Sequence, residues 1–472
     1  MPPAMPPLGP PYAGPVERPP TPRYPAGPPE QWPVTPVIAP PLTPAPLPPG
    51  PGWFDDQRHR VMVWGGVAVV IAVIVGVLVG RSSDDTRINF AAPTTSSEST
   101  NSDDSTGSTD SSDSTSSESD TTTTTEPQDL QTVVLEIERF VEADRGLRFK
   151  RSVDVSLAPD GEFQQDLLAE FDKQKSSITE NQQVLRALGL ITPDLDLVAA
   201  ERSLLSIGVV GFYDPATKRL LVRASEITPF TREVLAHELT HALDDQWFDL
   251  NRPQLDDPDD ESGYGFLGLV EGNARRVEDD YVATLSSDEQ DQALNEQQDL
   301  VLQHPEILDL PQILLTLEES PYTDGPKFVH ALLRAGGQAR LDSSFALPPV
   351  TSEQILQPDK YLAGEGPVAV PAPKADGTLL NKGALGELLI REMLFDSVPS
   401  AAEVNRAIDG WGGDSYVTWA DASGRSCLRD TFVGDTPTDT NELVQAITEW
   451  GQDRDVVIDA PAGGPATFTA CA

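Results

Sequence analysis

Cysteine is nearly absent from this chain, with two in 472 residues, Cys427 and Cys471. One bond between them could pin a C-terminal tail but not create a fold, and their spacing suggests no metal site. Basic residues are also scarce, 33 Lys and Arg against 75 Asp and Glu, for a formal net charge of -42. Nucleic acid is thereby excluded as a partner, because displacing the counterions of a phosphate backbone takes a Lys/Arg patch and none is present. Large apolar residues are too few in the Pro-rich first fifty residues and absent from the Ser/Thr/Asp-rich stretch Ala92 to Pro127. Neither stretch buries enough surface to offset the entropy of ordering, so both are expected to be disordered. Histidine is limited to five, which gives weight to any two of them at metal-ligand spacing.

Long apolar runs are lacking too, with one exception. Val61 to Gly80 holds no charged residue and at helical rise covers roughly 30 Å, the hydrocarbon thickness of a bilayer. A single transmembrane helix is expected there. A cleavable signal peptide fits poorly, since sixty residues precede the run and no small-residue cleavage site stands out. Arg58 and Arg60 before the run, and the acidic tract beyond Arg81, predict a cytoplasmic N-terminus and an exported C-terminal part. The expected layout is a Pro-rich cytoplasmic arm (1–57), the span (58–81), a Ser/Thr/Asp-rich linker (82–127) and an extracytoplasmic domain (128–472) whose length suits one hydrophobic core. Gly76 and Gly80 form a GxxxG pair, a route to a span-mediated dimer. In an oxidising compartment Cys427 and Cys471 are expected to form a disulfide, two free thiols being the alternative.

Within the domain, Gly208 to Tyr213 and Arg219 to Ala224 alternate apolar and polar residues about the turn Asp214-Pro215-Ala216-Thr217-Lys218 and predict a β-hairpin. A helix follows, with Thr228 as N-cap, Pro229 at the first helical position, and Phe230, Val234, Leu235, Leu239, Ala242 and Leu243 as an apolar stripe. This helix carries His237-Glu238-Leu239-Thr240-His241. Histidines spaced i, i+4 project from one face and can coordinate one metal ion. Glu238 beside them is placed to take a proton from water rather than to ligate. Zinc is the expected ion, and it needs a third protein ligand while one position stays open. Glu271, on a helix predicted over Phe266 to Tyr281, is the next candidate, with an exposed helical glutamate as the alternative. Asp245, one turn beyond His241, is a candidate to hold the second nitrogen of an imidazole, or else a solvated residue near the helix end.

The motifs His237-Glu238-Leu239-Thr240-His241-Ala242-Leu243-Asp244-Asp245-Gln246-Trp247-Phe248-Asp249-Leu250 and Glu271-Gly272-Asn273-Ala274 resemble a family of bacterial HExxH metallopeptidases that share HELxHALxDQxFDL followed by EGxA. Leu185-Arg186-Ala187-Leu188-Gly189-Leu190, Tyr213-Asp214-Pro215, Pro321-Tyr322 and Gly410-Trp411-Gly412-Gly413-Asp414 extend the likeness over most of the exported domain. One departure is Gln357, where the pattern leads one to expect a histidine. The resemblance implies a zincin-like, helix-rich α+β domain with the hairpin ahead of the HExxH helix and a gluzincin-type site of His237, His241 and Glu271; with the expected span it leads to an expected place on the bacterial cell membrane. The expected function is hydrolysis of peptide or protein substrates outside the cytoplasm, with Glu238 as general base. Tyr322 is the first candidate to face the developing oxyanion, ahead of Tyr361 and His330. A catalytically inactive binding or cell-wall module that keeps the scaffold is the rival expectation.

Overall fold

The computed structural model describes residues 129–472, apart from 173, 256–259, 396 and 399. The expected arm, span and linker lie outside the described residues. In chain order the elements are α1 (Leu130–Arg145), β1 (Asp154–Ala158), α2 (Asp160–Phe171), α3 (Lys175–Ala187), α4 (Leu197–Gly208), β2 (Gly211–Asp214), β3 (Arg219–Arg223), α5 (Pro229–Phe248), α6 (Ser262–Val282), α7 (Ser287–Gln303), α8 (Gln312–Thr323), α9 (Gly325–Ser344), α10 (Ser352–Leu356) and α11 (Pro358–Ala363). There follow β4 (Leu379–Gly383), α12 (Gly386–Phe395), α13 (Ala401–Ile408), β5 (Trp411–Ala420), β6 (Ser426–Gly434), α14 (Pro437–Trp450), β7 (Val456–Asp459) and β8 (Ala466–Cys471).

The strands form two sheets. A three-stranded sheet has the order β1-β3-β2, with β1 parallel and β2 antiparallel to the central β3. An antiparallel sheet has the order β4-β5-β6-β8-β7 and carries α3 and α14 against it. The disulfide Cys427–Cys471 joins directly opposed residues of β6 and β8, with Cα atoms 4.1 Å apart. The C-terminal segment is thus an inner strand of a sheet, not a pinned tail.

Two expectations are corrected here. The expected fold class included a membrane-spanning helix, yet among the described residues no helix is long and apolar enough to cross a membrane. The three with sufficient length all carry charges along their lengths, Glu233, Glu238 and Asp244 on α5, Glu271, Arg275 and Glu278 on α6, and Lys327, Arg334 and Arg340 on α9, which a bilayer does not tolerate without partners. The segment to which the span was assigned lies outside the described residues. The architecture described is helix-rich with two sheets, and its hairpin is only one arm of the smaller. Gly208, expected to start that hairpin, instead ends α4, and β2 begins at Gly211.

The second correction concerns α5. Thr228 does cap it, its hydroxyl accepting from the Thr231 backbone N–H at 3.1 Å, with Pro229 at the first helical position. But α5 is not an amphipathic surface helix. Every residue from Glu233 to Gln246 is buried, because α1, α6, α7, β2 and β3 all pack around it. Such a helix is held by neighbours on every side, so a polar residue along it either finds a partner or is left unsatisfied at a cost. Those partners define the site.

A pair of glycines sets how closely α6 and α9 cross. The Cα of Gly272 lies against the backbone of Gly325, and a methyl group at either position would overlap the opposite chain. Close approach of this kind needs residues without a Cβ. Glu271, the neighbour of Gly272, reaches the face of α5.

Candidate metal centre

His237 and His241 lie one turn apart on α5, and Glu271 reaches them from α6. His237 Nε2 is 3.0 Å from His241 Nε2 and 3.1 Å from Glu271 Oε2, and His241 Nε2 is 3.3 Å from the same oxygen. All three side chains are buried. Ligands about 2.0–2.1 Å from a tetrahedral ion stand roughly 3.3 Å from one another, so the three donor atoms have the separations that one small ion requires. Glu271 Oε1, buried and without a hydrogen-bond partner, is the orphaned atom expected of a carboxylate whose partner is an ion. The residues fit such a group.

The remaining nitrogen of His237 is already engaged. Its Nδ1 is 2.9 Å from Glu278 Oε2, also on α6. Glu278 in turn meets the Arg275 guanidinium at 3.1 Å. Burial and the Glu278 charge push the pKa of the neighbouring Glu233 well above the usual carboxylate range. Gln297 of α7 donates to Glu233 Oε1 at 2.9 Å. The contact with Glu278 fixes the His237 ring so that Nε2 faces Glu271 and His241.

Burial alone would lower the His237 pKa, but hydrogen bonds and charge from Glu271 and Glu278 raise it to about 10. Burial likewise acts to raise Glu271, yet His241 and His237 bring it down to about 2. Without an ion, a proton on His237 therefore takes the place of positive charge between the two glutamates.

Glu238 stands apart from the donor set. It is fully buried, and neither carboxylate oxygen has a hydrogen-bond partner. Burial raises its pKa to about 7 against the opposing pull of the two histidines; the Tyr213 backbone lowers it slightly without completing a hydrogen bond. A methyl group at Gly211 would lie 3.3 Å from both Cγ and Oε1 of Glu238 and would collide with Val234, so glycine at the start of β2 is what lets the strand come this near. β2 is an edge strand. Val210 accepts from the Arg223 N–H, and by antiparallel alternation the backbone groups of Gly211 and Tyr213 point away from β3, toward the side on which Glu238 lies.

Tyr322 of α8 joins the same cluster. Its ring centroid is 6.1 Å from that of His237. Burial, then the charges of Glu271, Glu238 and Glu318, hold its pKa well above the usual tyrosine range, leaving a neutral hydroxyl able to donate. The two other oxyanion candidates are elsewhere: Tyr361 donates to the Leu347 carbonyl at 2.7 Å, and His330 is exposed on α9.

Asp245 does not orient a histidine. It accepts from the Tyr213 hydroxyl at 2.7 Å, the Lys218 ammonium at 2.9 Å and the Leu250 N–H at 3.0 Å, locking the hairpin and the chain after α5 onto the helix. The orienting role expected of it falls to Glu278, which the sequence reading missed. Glu278 follows Glu271 by seven residues on one helix, a spacing that returns to the same face, and that was the available signal. Asp244, also unremarked, accepts from the fully buried Arg145 at 2.7 Å and from Asn273 at 2.6 Å, tying α1, α5 and α6 together beside His241. Gln357, at the position where a histidine was expected, donates to Glu387 at 3.0 Å and takes no part in the site.

A second acidic group, Glu353, Glu365 and Asp435, is already filled by the Lys360 ammonium, which pairs with all three. No known family, curated protein or solved structure matches this chain; the likeness in its motifs rests on those residues alone.

Proposed function

We propose that this chain is a zinc-dependent metallopeptidase that acts outside the cytoplasm. The observation that carries the reading is Glu238, a fully buried carboxylate with no protein partner, next to three donor atoms spaced for one ion. A buried carboxylate left unsatisfied costs stability, and a working base is a reason to keep one. His237, His241 and Glu271 are the residues that would hold zinc, which when bound polarises a carbonyl and makes a nearby water acidic at neutral pH. The Cys427–Cys471 bond supports an oxidising compartment.

In this reading an extended peptide lies along the free edge of β2, hydrogen-bonded to the backbone of Gly211 and Tyr213. Glu238, with a pKa near the working pH, accepts a proton from the attacking water and returns it to the leaving amine nitrogen as the carbon–nitrogen bond breaks. Tyr322 donates its hydroxyl hydrogen bond to the carbonyl oxygen as negative charge gathers there.

The test compares the full-length protein with Glu238→Gln, measuring bound zinc and hydrolysis of a peptide mixture. Expected are one zinc per chain in both and a loss of hydrolysis of about 100-fold or more in the variant. Zinc without hydrolysis in the wild type would favour a binding module, and absence of any bound metal would sink the proposal.

A further inference from the structure

A cavity of about 310 Å³ lies among α3, α4, α6, α8 and α12. Its walls are largely apolar, including Val184, Leu185, Leu197, Leu314, Leu317 and Leu389, yet two carboxylates open into it, Glu201 and Glu318. No Lys or Arg lines the space. Glu318 is 7% exposed, and neither acid has a hydrogen bond or ion pair among the described residues. Burying an acid without a partner is costly, and here Glu318 is buried and Glu201 half-buried, both facing one volume.

The cavity is next to the candidate metal centre. Leu267 in its wall is one turn before Glu271 on α6, and Glu318 is one turn before Tyr322 on α8. One helical turn is about 5.4 Å, within the reach of a long side chain. The Glu318 charge is felt at the Tyr322 hydroxyl. Pro321, inside α8, has no N–H for the Leu317 carbonyl, which adds a hydrogen-bond acceptor without its usual donor beside Glu318.

We propose that this cavity is a specificity pocket that takes a Lys or Arg side chain of the substrate next to the scissile bond, its aliphatic stem along the leucines and its cationic head between Glu201 and Glu318. Apolar walls closed by a charge of opposite sign suit a side chain with an apolar stem and a charged tip. When the pocket is empty the acids are held by protons: burial raises Glu201 to about 8, and burial with the Glu201 charge raises Glu318 well above its usual range. The proposal rests on the peptidase reading for the substrate, but the cation pocket itself can be tested apart from catalysis.

The full-length protein is assayed with paired peptides that differ at the residues flanking the cleaved bond, Lys or Arg against the uncharged norleucine. The expected kcat/KM is about 10- to 100-fold higher for the basic residue on one side of the bond. Glu318→Gln, and separately Glu201→Gln, should erase that preference by slowing the basic peptide while sparing the norleucine one, with zinc content unchanged. Equal rates for the two peptides in the wild type, or equal slowing of both in either variant, overturn the pocket. If the wild type cleaves nothing, the peptidase reading fails, and the cavity is judged by n-hexylamine against 1-hexanol. A rise in Tm with the amine alone, lost in Glu318→Gln, sustains a cation pocket; no amine effect overturns it.

Discussion

Glu278 Oε2 lies 2.9 Å from His237 Nδ1, joining α6 to α5 behind the candidate metal ligands. A carboxylate in that place raises the basicity of the ring and stops it from turning. Glu278→Gln keeps the shape and removes the charge. Zinc affinity is expected to fall by about 10- to 100-fold, read by competition with a chelator of known affinity. An unchanged affinity would mean that the contact only fills space.

The proton on His237 makes metal uptake depend on pH. Its pKa in the folded, metal-free chain is about 10 against an ordinary 6.5, so this proton stabilises the metal-free fold in full below about pH 6.5 and ceases to do so as the pH rises through about 10. Zinc needs the neutral ring, and its binding therefore expels the proton. Between pH 6.5 and 8 the apparent Kd should drop about tenfold per unit if one proton leaves per ion. Calorimetry in buffers of different ionisation enthalpy counts the protons released; a count of zero contradicts the assignment.

Gly272→Ala tests the crossing of α6 and α9. The added methyl meets the Gly325 backbone, which cannot swing aside as a side chain would. Overpacking of this kind costs about 1–3 kcal/mol, or roughly 1 to 4 °C in Tm for a domain of this size. Because Glu271 precedes the glycine, zinc content should fall along with stability. Thermal melts with and without zinc check both, and an unchanged melt of the metal-free variant would show that the helices part without penalty.

How far the site was legible follows from where its contacts run. His237, Glu238 and His241 sit within one turn, so spacing alone put them together. Glu271 was reached by motif on a second helix. Glu278 was passed over for Asp245 because closeness in sequence was taken as closeness to the ring, whereas Asp245 points to Tyr213 and Lys218 on the hairpin. The apolar stripe of α5 was read as one buried face, yet the helix is enclosed, and Glu233 and Asp244 are buried because partners on α1, α6 and α7 meet them. No local pattern reports such partners. The five-stranded sheet was missed for a related reason: helices separate β4 from β5 and β6 from β7, and its register depends on pairings such as Cys427 with Cys471, which a reading of short windows does not detect. The cavity beside α8 draws its walls from five helices and one strand, so neither Glu201 nor Glu318 stood out alone.

Arg145 closes α1 and is fully buried, its guanidinium shared between Asp244 and Asp342, which follow it by 99 and 197 residues. During synthesis this cation is therefore made long before either anion exists. An N-terminal fragment would carry a stranded charge at the position where the core has to close, so the domain has no stable early half. Its folding should wait on α9, and ribosome-bound chains that stop short of Asp342 should remain open to protease while those that include it and the strands beyond become resistant.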